Sequence, residues 1–311
     1  MKLSIVMSTY NGEEYIVEQL DSIMNQKRKP DEVIIIDDFS KDSTYNIIEN
    51  YIRTNNLKWK LLKNNKNKGW RANFFEGINL ASGELIFPCD QDDIWDKDKL
   101  LVMEKIMKDN TYVNLLVSNY NAFYSNGRSS IGPNKNDKKI IKINYTNQFF
   151  YVPFPGCTFC LRKKFTDKVR KYWNNQYPHD AFYWRLALYS NQVYAINKDL
   201  INWRKHEEST FSKESRDNRN YNERKIWFDY AINSINCVKE YIKDENIQNR
   251  KIIKILEQNL KFIEKRKKFY DTKNIFLGIY LIRYINYYMS LKRYLGDLFL
   301  VYFKSEVKNE N

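Results

Sequence analysis

Apolar positions along the first hundred residues change period several times. KLSIVMST (2–9) is a short apolar run that predicts a buried strand, whereas Tyr15, Ile16, Gln19, Leu20, Ile23 and Met24 recur at helical spacing. DEVIIID (31–37) is rich in β-branched residues and predicts a second strand. Ser40 or Asp42 is placed to cap a helix carrying Ile47, Ile48, Tyr51 and Ile52. KWKLLKN (58–64) predicts a third strand. Phe74, Phe75, Ile78 and Ala81 mark a helix ended by Ser82-Gly83, and ELIFPC (84–89) predicts a fourth strand. Such alternation implies an α/β fold, with a mostly parallel sheet flanked by helices on both faces.

Beyond residue 110 the pattern loosens. VNLLVSNY, VPFPGCTFCL and QVYAIN predict strands, FYWRLALY a helix, and residues 126–139, rich in Asn, Gly, Ser and Lys, a mobile loop. From about residue 218 the pattern is helical only, with helices expected near 226–243 and 250–270. Leu277, Leu281, Tyr284, Tyr288, Leu291, Leu295, Leu298 and Tyr302 then repeat at alternating spacings of four and three, which predicts one continuous helical stripe. That stripe suits either core packing or the surface of an anionic membrane. The expected organisation is an α/β domain over 1–215, with halves of about 1–108 and 109–215, and a basic helical extension over 216–311.

In parallel sheets of this kind ligands bind beyond the carboxyl ends of the strands. Three polar clusters fall there: Ser8-Thr9-Tyr10-Asn11, Asp37-Asp38, and CDQDDIWD (89–96) with Asp90, Asp92, Asp93 and Asp96. Carboxylates this close repel one another unless something positive joins them. Asp90 and Asp92, separated by one residue, offer hard oxygens suited to Mg²⁺ or Mn²⁺. Farther along, Asp180 in PHDAFYWRLAL sits at a helix start. It has the chemistry of a general base and equally that of a helix cap.

Composition narrows the picture. At 311 residues, with 43% hydrophobic and 29% charged, the chain reads as globular and is long enough for a sizeable core. Scarce Gly and Pro argue against a β-sandwich with many tight turns. The net charge is +14, and residues from 200 onward carry 23 Lys and Arg against 15 Asp and Glu, which points to an anionic partner or a solvated helical surface. The pair Cys157 and Cys160 is too small a set for structural zinc, so the four cysteines read as ordinary half-buried thiols, in keeping with a reducing cytoplasm. Neither a signal peptide nor a run of about 20 apolar residues is visible.

Taken in order, IVMSTYNGEEYI, IIIDDFSKDST, NKGWRANFFEGINLASGEL and CDQDDIW resemble glycosyltransferase family 2, the inverting enzymes with the Rossmann-like GT-A fold. The resemblance covers roughly residues 1–210. DQDDIW with a later His-Asp is most similar to the rhamnosyltransferase-like bacterial members, which build surface polysaccharides. It implies a nucleoside-diphosphate sugar donor of dTDP or UDP type, a divalent metal, Mn²⁺ or Mg²⁺, and a glycan or polyprenyl-linked acceptor. By the same resemblance, Tyr10 stacks on the base and Asp38 bonds its edge. Ser8, Arg71, Asn73 and Asp90 lie along the nucleotide. Asp90 and Asp92, with His206, hold the metal, and Asp180 is the catalytic base. Arg204, His179 and Trp95 face diphosphate or acceptor. The implied location is cytoplasmic, at the inner face of the plasma membrane if the C-terminal stripe is interfacial.

Two other classes fit the sequence less well. A nucleotidyltransferase would need a Gly-rich, basic loop after the first strand, which TYNGEEY lacks. A nucleic-acid-binding protein would suit the net charge but needs a basic, aromatic-lined groove, and the expected rim is acidic. An inactive sugar-binding relative is disfavoured because Asp38, Asp90, Asp92 and Asp180 are all present.

Overall fold

The computed structural model describes residues 1–124, 127–205 and 220–304. The chain forms two units, one of Met1–Asn144 with Val152–Lys205, the other of Tyr145–Tyr151 with His206–Asn311.

The first unit opens with β1 (Leu3–Thr9), α1 (Ile16–Met24), β2 (Glu32–Asp37), α2 (Thr44–Thr54), β3 (Lys60–Lys63), α3 (Trp70–Leu80) and β4 (Leu85–Cys89), the alternation that the periodicity predicts. It continues through β5 (Ile94–Trp95), α4 (Lys99–Asp109), β6 (Leu115–Tyr124), β7 (Ser129–Ile131), β8 (Ile140–Lys142), β9 (Phe159–Arg162), α5 (Lys163–Val169), α6 (His179–Tyr189) and β10 (Val193–Lys205). Among the described residues the strands form one sheet in the order β3-β2-β1-β4-β9-β6-β10-β5, with β7 on β6 and β8 on β10. The half from β3 to β4 is parallel. β9 then enters antiparallel between β4 and β6, and β10 returns parallel to β6. Within residues 126–139, expected as a mobile loop, the described residues include β7 and a bond from the Asn119 amide to the Asn134 carbonyl.

Packing explains the register. Leu3, Ile5 and Met7 alternate into one core layer with Leu20, Ile35, Phe87 and Met103. Val6 faces α3, whose Gly77 has room only for hydrogen, since a Cβ there would lie 2.4 Å from Val6 Cγ1. Thr9 therefore ends level with Asp37, and Met7 with Cys89, so the loops after β1, β2 and β4 leave the sheet at one rim.

The second unit carries α7 (Tyr221–Asp244), α8 (Arg250–Thr272), α9 (Ile275–Tyr280), a 3-10 segment over Leu281–Tyr287, and α10 (Leu291–Phe303). Asn220, Asn249, Asn274 and Ser290 each cap a helix start through the side chain. A buried carboxylate ties the bundle together. Arg266 donates two bonds to Asp297, at 2.8 and 2.9 Å, and the hydroxyls of Tyr270 and Tyr288 add 2.9 and 2.8 Å bonds. The predicted continuous stripe over 277–302 is broken. Tyr288 adopts an extended conformation, and Leu281 and Tyr288 are core while Leu291, Leu295 and Tyr302 are exposed. Ser290, a capping residue, restarts the helix there.

Candidate active site

The rim is built first from backbone. The Gln91 side-chain amide accepts from the Tyr10 N–H at 2.9 Å and donates to the Tyr10 carbonyl at 3.0 Å, joining the loops after β1 and β4. Gly12 is required beneath it, because a Cβ would sit 2.4 Å from the Gln91 amide. Tyr10 is left with its ring 43% exposed at the rim, free to present a flat face. In the turn after β2, Phe39 has a φ of 65°, a left-handed conformation that a bulky residue adopts at a cost.

A chain of amides fixes the neighbouring loop. Asn73 donates to Ser8 Oγ at 2.7 Å and to the Ile36 carbonyl at 2.9 Å, and it accepts from Asn64 at 2.9 Å. Asn64 also donates to Asp38, whose carboxylate takes two further bonds of 2.8 Å from the Lys68 and Gly69 amides. Asp38 and Asn73 are buried, and both serve as struts of the rim. Arg71 follows Trp70, and its guanidinium lies 4.4 Å from that ring's centroid.

The acidic loop follows β4. Asp90 is partly buried, and its burial, with Asp92 and Asp180 alongside, pushes its carboxyl up to about 7. Asp93 is fully buried, and the same causes, burial and then Asp92 and Asp90, drive its carboxyl well above the usual range. Its Oδ1 accepts from the Arg204 N–H at 3.1 Å, and its Oδ2 has no hydrogen-bond partner among the described residues. Potential ligand atoms of Asp90, Asp93 and Cys157 lie within 4.8 Å of one another. The gathered trio thus differs from the expected set of Asp90, Asp92 and His206. Asp92 stands close enough to bias both neighbours, and His206 lies outside the described residues. The two carboxylates suit a hard divalent cation, and an unpartnered oxygen with a raised pKa marks charge that a cation would relieve. The Cys157 thiol suits it poorly, since burial pushes its pKa up and keeps it protonated.

Lys99 lies beneath this cluster, fully buried at the start of α4. Its ammonium donates to the Cys157 carbonyl at 2.7 Å and sits 4.3 Å from the Trp95 ring centroid, and burial lowers its pKa to about 8. Nothing in WDKDKL separates this lysine from a solvated one, so sequence reasoning missed it. Gln91 gave no signal either, while Asp93 was read only as one of the acidic cluster and Cys157 only as an ordinary thiol.

Asp180 enters from α6. Pro178 occupies the cap position and Asp180 lies one residue inside the helix, its Oδ1 accepting from the Ala181 amide at 2.6 Å. It is near enough to Asp90 to raise that carboxyl. The other residues expected at the ligand are placed differently. Trp95 is 3% exposed and packs in the core against Phe87, turned away from the rim. His179 is also buried, stacked on Phe74 with centroids 4.0 Å apart, and burial lowers its pKa to about 4. Arg204 braces the acidic loop, donating to the Asp92 carbonyl at 2.8 Å and pairing with Glu18 while its guanidinium lies 4.7 Å from the rings of Tyr15 and Phe123.

Comparison with known proteins places this geometry in a lineage. The profile of glycosyl transferase family 2 matches residues 4–170. The dTDP-rhamnosyl transferase RfbG of Shigella flexneri is 33% identical over 214 residues, covering 65% of this chain and 72% of that protein. An uncharacterized glycosyltransferase of Haemophilus influenzae is 25% identical over 264 residues, 78% of this chain and 81% of the relative. Residues 1–349 of Staphylococcus aureus TarS, crystallised with UDP-GlcNAc, superpose with a TM-score of 0.65 at 18% identity, over 96% of this chain and 82% of that one.

Proposed function

The chain belongs to glycosyltransferase family 2 and is a glycosyltransferase, and from that premise we propose that it transfers rhamnose from a dTDP-linked donor to a glycan acceptor carried on a polyprenyl lipid, in the making of a bacterial surface polysaccharide. The family match displaces the nucleotidyltransferase and nucleic-acid readings. The choice of a dTDP sugar rests on the likeness to RfbG; a UDP sugar, as held by TarS, is the alternative donor.

The observation that carries the chemistry is the meeting of Asp180 with the Asp90 cluster at the rim. In our reading Tyr10 stacks on the base, and Asp38 and Asn73 hold the loops that frame it. Asp90 and Asp93, with Asp92 beside them, would hold a divalent cation, Mn²⁺ or Mg²⁺, which when bound would offset the charge of the diphosphate leaving group. Asp180 accepts the proton of the acceptor hydroxyl as that oxygen bonds to the sugar C1 and the bond from C1 to the diphosphate oxygen breaks. Attack from the face opposite the leaving group inverts the anomeric centre. The Ala181 N–H fixes the Asp180 carboxylate for this role, and Arg204 keeps the acidic loop in register.

Incubation with dTDP-rhamnose or UDP-GlcNAc and a lipid-linked acceptor tests the assignment by nucleotide release and by the anomeric signal of the product. Release from the dTDP sugar with an inverted linkage is expected. Turnover of the UDP sugar alone would replace the donor, and a retained linkage would contradict the mechanism.

A further inference from the structure

Among the described residues, the helices at the end of the second unit leave an apolar surface uncovered. Between Lys273 and Lys304 large apolar side chains stand in solvent, led by Phe276 at 79% and Phe303 at 74% exposure, with Ile279, Leu291, Leu295 and Phe299. Soluble chains seldom expose contiguous apolar area on this scale without a use for it.

These side chains share one side. α9 and α10 run antiparallel: the Tyr294 hydroxyl donates to the Gly278 carbonyl at 3.2 Å, and the Tyr302 hydroxyl to the Lys273 carbonyl at 3.3 Å. A Cβ on Gly278 would meet Leu298 at 3.2 Å, so Gly278 marks the closest approach. Residues advance by about 100° along a helix, and the sense reverses between antiparallel neighbours seen from one end. Counted from the contact positions, Phe276 and Ile279 rotate to the same side as Leu291, Leu295 and Phe299.

Within the segment from Lys273 to Lys304 the exposed charges have one sign. Lys273, Arg283, Lys292, Arg293 and Lys304 are exposed, whereas Asp297, the segment's one acid, is buried against Arg266. Among the described residues no helix is long and apolar enough to cross a membrane. We propose that this face docks on an anionic lipid bilayer, its apolar side chains entering the interface while the lysines and arginines meet the headgroups. A second copy of the chain fits less well, because a two-fold contact through the face would set basic rim against basic rim.

Flotation of the full chain with vesicles tests the proposal without donor or acceptor, so its failure leaves the enzymatic assignment standing. Binding is expected to an equal mixture of phosphatidylcholine and phosphatidylglycerol, to weaken with salt, and to vanish on phosphatidylcholine alone. Phe276→Glu with Phe299→Glu should reduce partitioning at least about tenfold, with an unchanged circular dichroism spectrum. Lys292→Glu with Lys304→Glu, which leaves the apolar face intact, should abolish the preference for phosphatidylglycerol. Wild-type protein that stays unbound, or a phenylalanine variant or a lysine variant that floats like wild type, overturns the proposal. So does a wild-type dimer that dissociates in the phenylalanine variant and binds no vesicle.

Discussion

Asp180 is the residue on which turnover should depend most. Asp180→Asn keeps the shape and can still accept from the Ala181 amide, but it is no base. Transfer should fall by about two to four orders of magnitude, with donor affinity little changed, in a steady-state assay paired with calorimetry. Near-normal turnover would move the base to another carboxylate of the rim. His179, one position earlier, gives a different signal. Its buried imidazole titrates near 4 in the folded chain and near 6.5 when unfolded, so the unfolded state binds more protons between those values. The stability held by neutral His179 is full above about pH 6.5 and declines as pH falls towards 4, by up to about 3 kcal/mol. Asp90, with its folded pKa raised to about 7, pulls the other way across the whole of that range, since its folded form binds the extra proton. Denaturant midpoints of wild type and His179→Gln at pH 7 and pH 4.5 separate the two. The variant should lose less stability on acidification, and parallel losses would place the acid sensitivity elsewhere. At this scale Asp90 and Asp180 were expected from the sequence through the resemblance carried by CDQDDIW and PHDAFYWRLAL. The meeting of Lys99 with Cys157 stayed hidden, since only folding brings a helix start and a turn 58 residues later to one buried point, with Lys99 Nζ on the Cys157 carbonyl.

The elements of the parallel half were legible because each strand is a short apolar run bounded by polar turns, and each helix has an apolar stripe. VPFPG was not, as its prolines permit no ladder and the chain forms a 3-10 turn at Gly156–Thr158 before β9. Gly156 is needed there, because a Cβ would come within 2.6 Å of His179 Nε2. In the second unit the apolar spacing read as one helix, and the break at Tyr288 and Ser290 was missed. The break turns the Tyr288 hydroxyl onto Asp297, where it helps satisfy a buried charge. Asp297→Ala should strand Arg266 and two tyrosine hydroxyls in the interior and cost about 3–5 kcal/mol, measured by denaturant unfolding. A loss below about 1 kcal/mol, the size of an exposed pair, would mean that water reaches Arg266 and that the network is not the bundle's tie.

For the molecule as a whole, four aspartates fall within seven residues, and the proposed mechanism has Asp90, Asp92 and Asp93 share one cation. Because Asp90 must lose a proton near pH 7 to bind a metal, cation affinity should rise with pH, by about tenfold per unit below that point for a single displaced proton. Thermal shift with MnCl₂ across pH 6 to 8 reads this, and a flat response would separate the metal from Asp90. The most direct test of the account is calorimetric titration of dTDP into the wild-type chain and into Asp90→Asn, with and without Mn²⁺. Wild type should bind dTDP tightly only with Mn²⁺, while Asp90→Asn should bind weakly and alike in both conditions, at an unchanged melting temperature. Equal Mn²⁺ dependence in the two proteins would contradict the assignment of the acidic rim as the cation and diphosphate site.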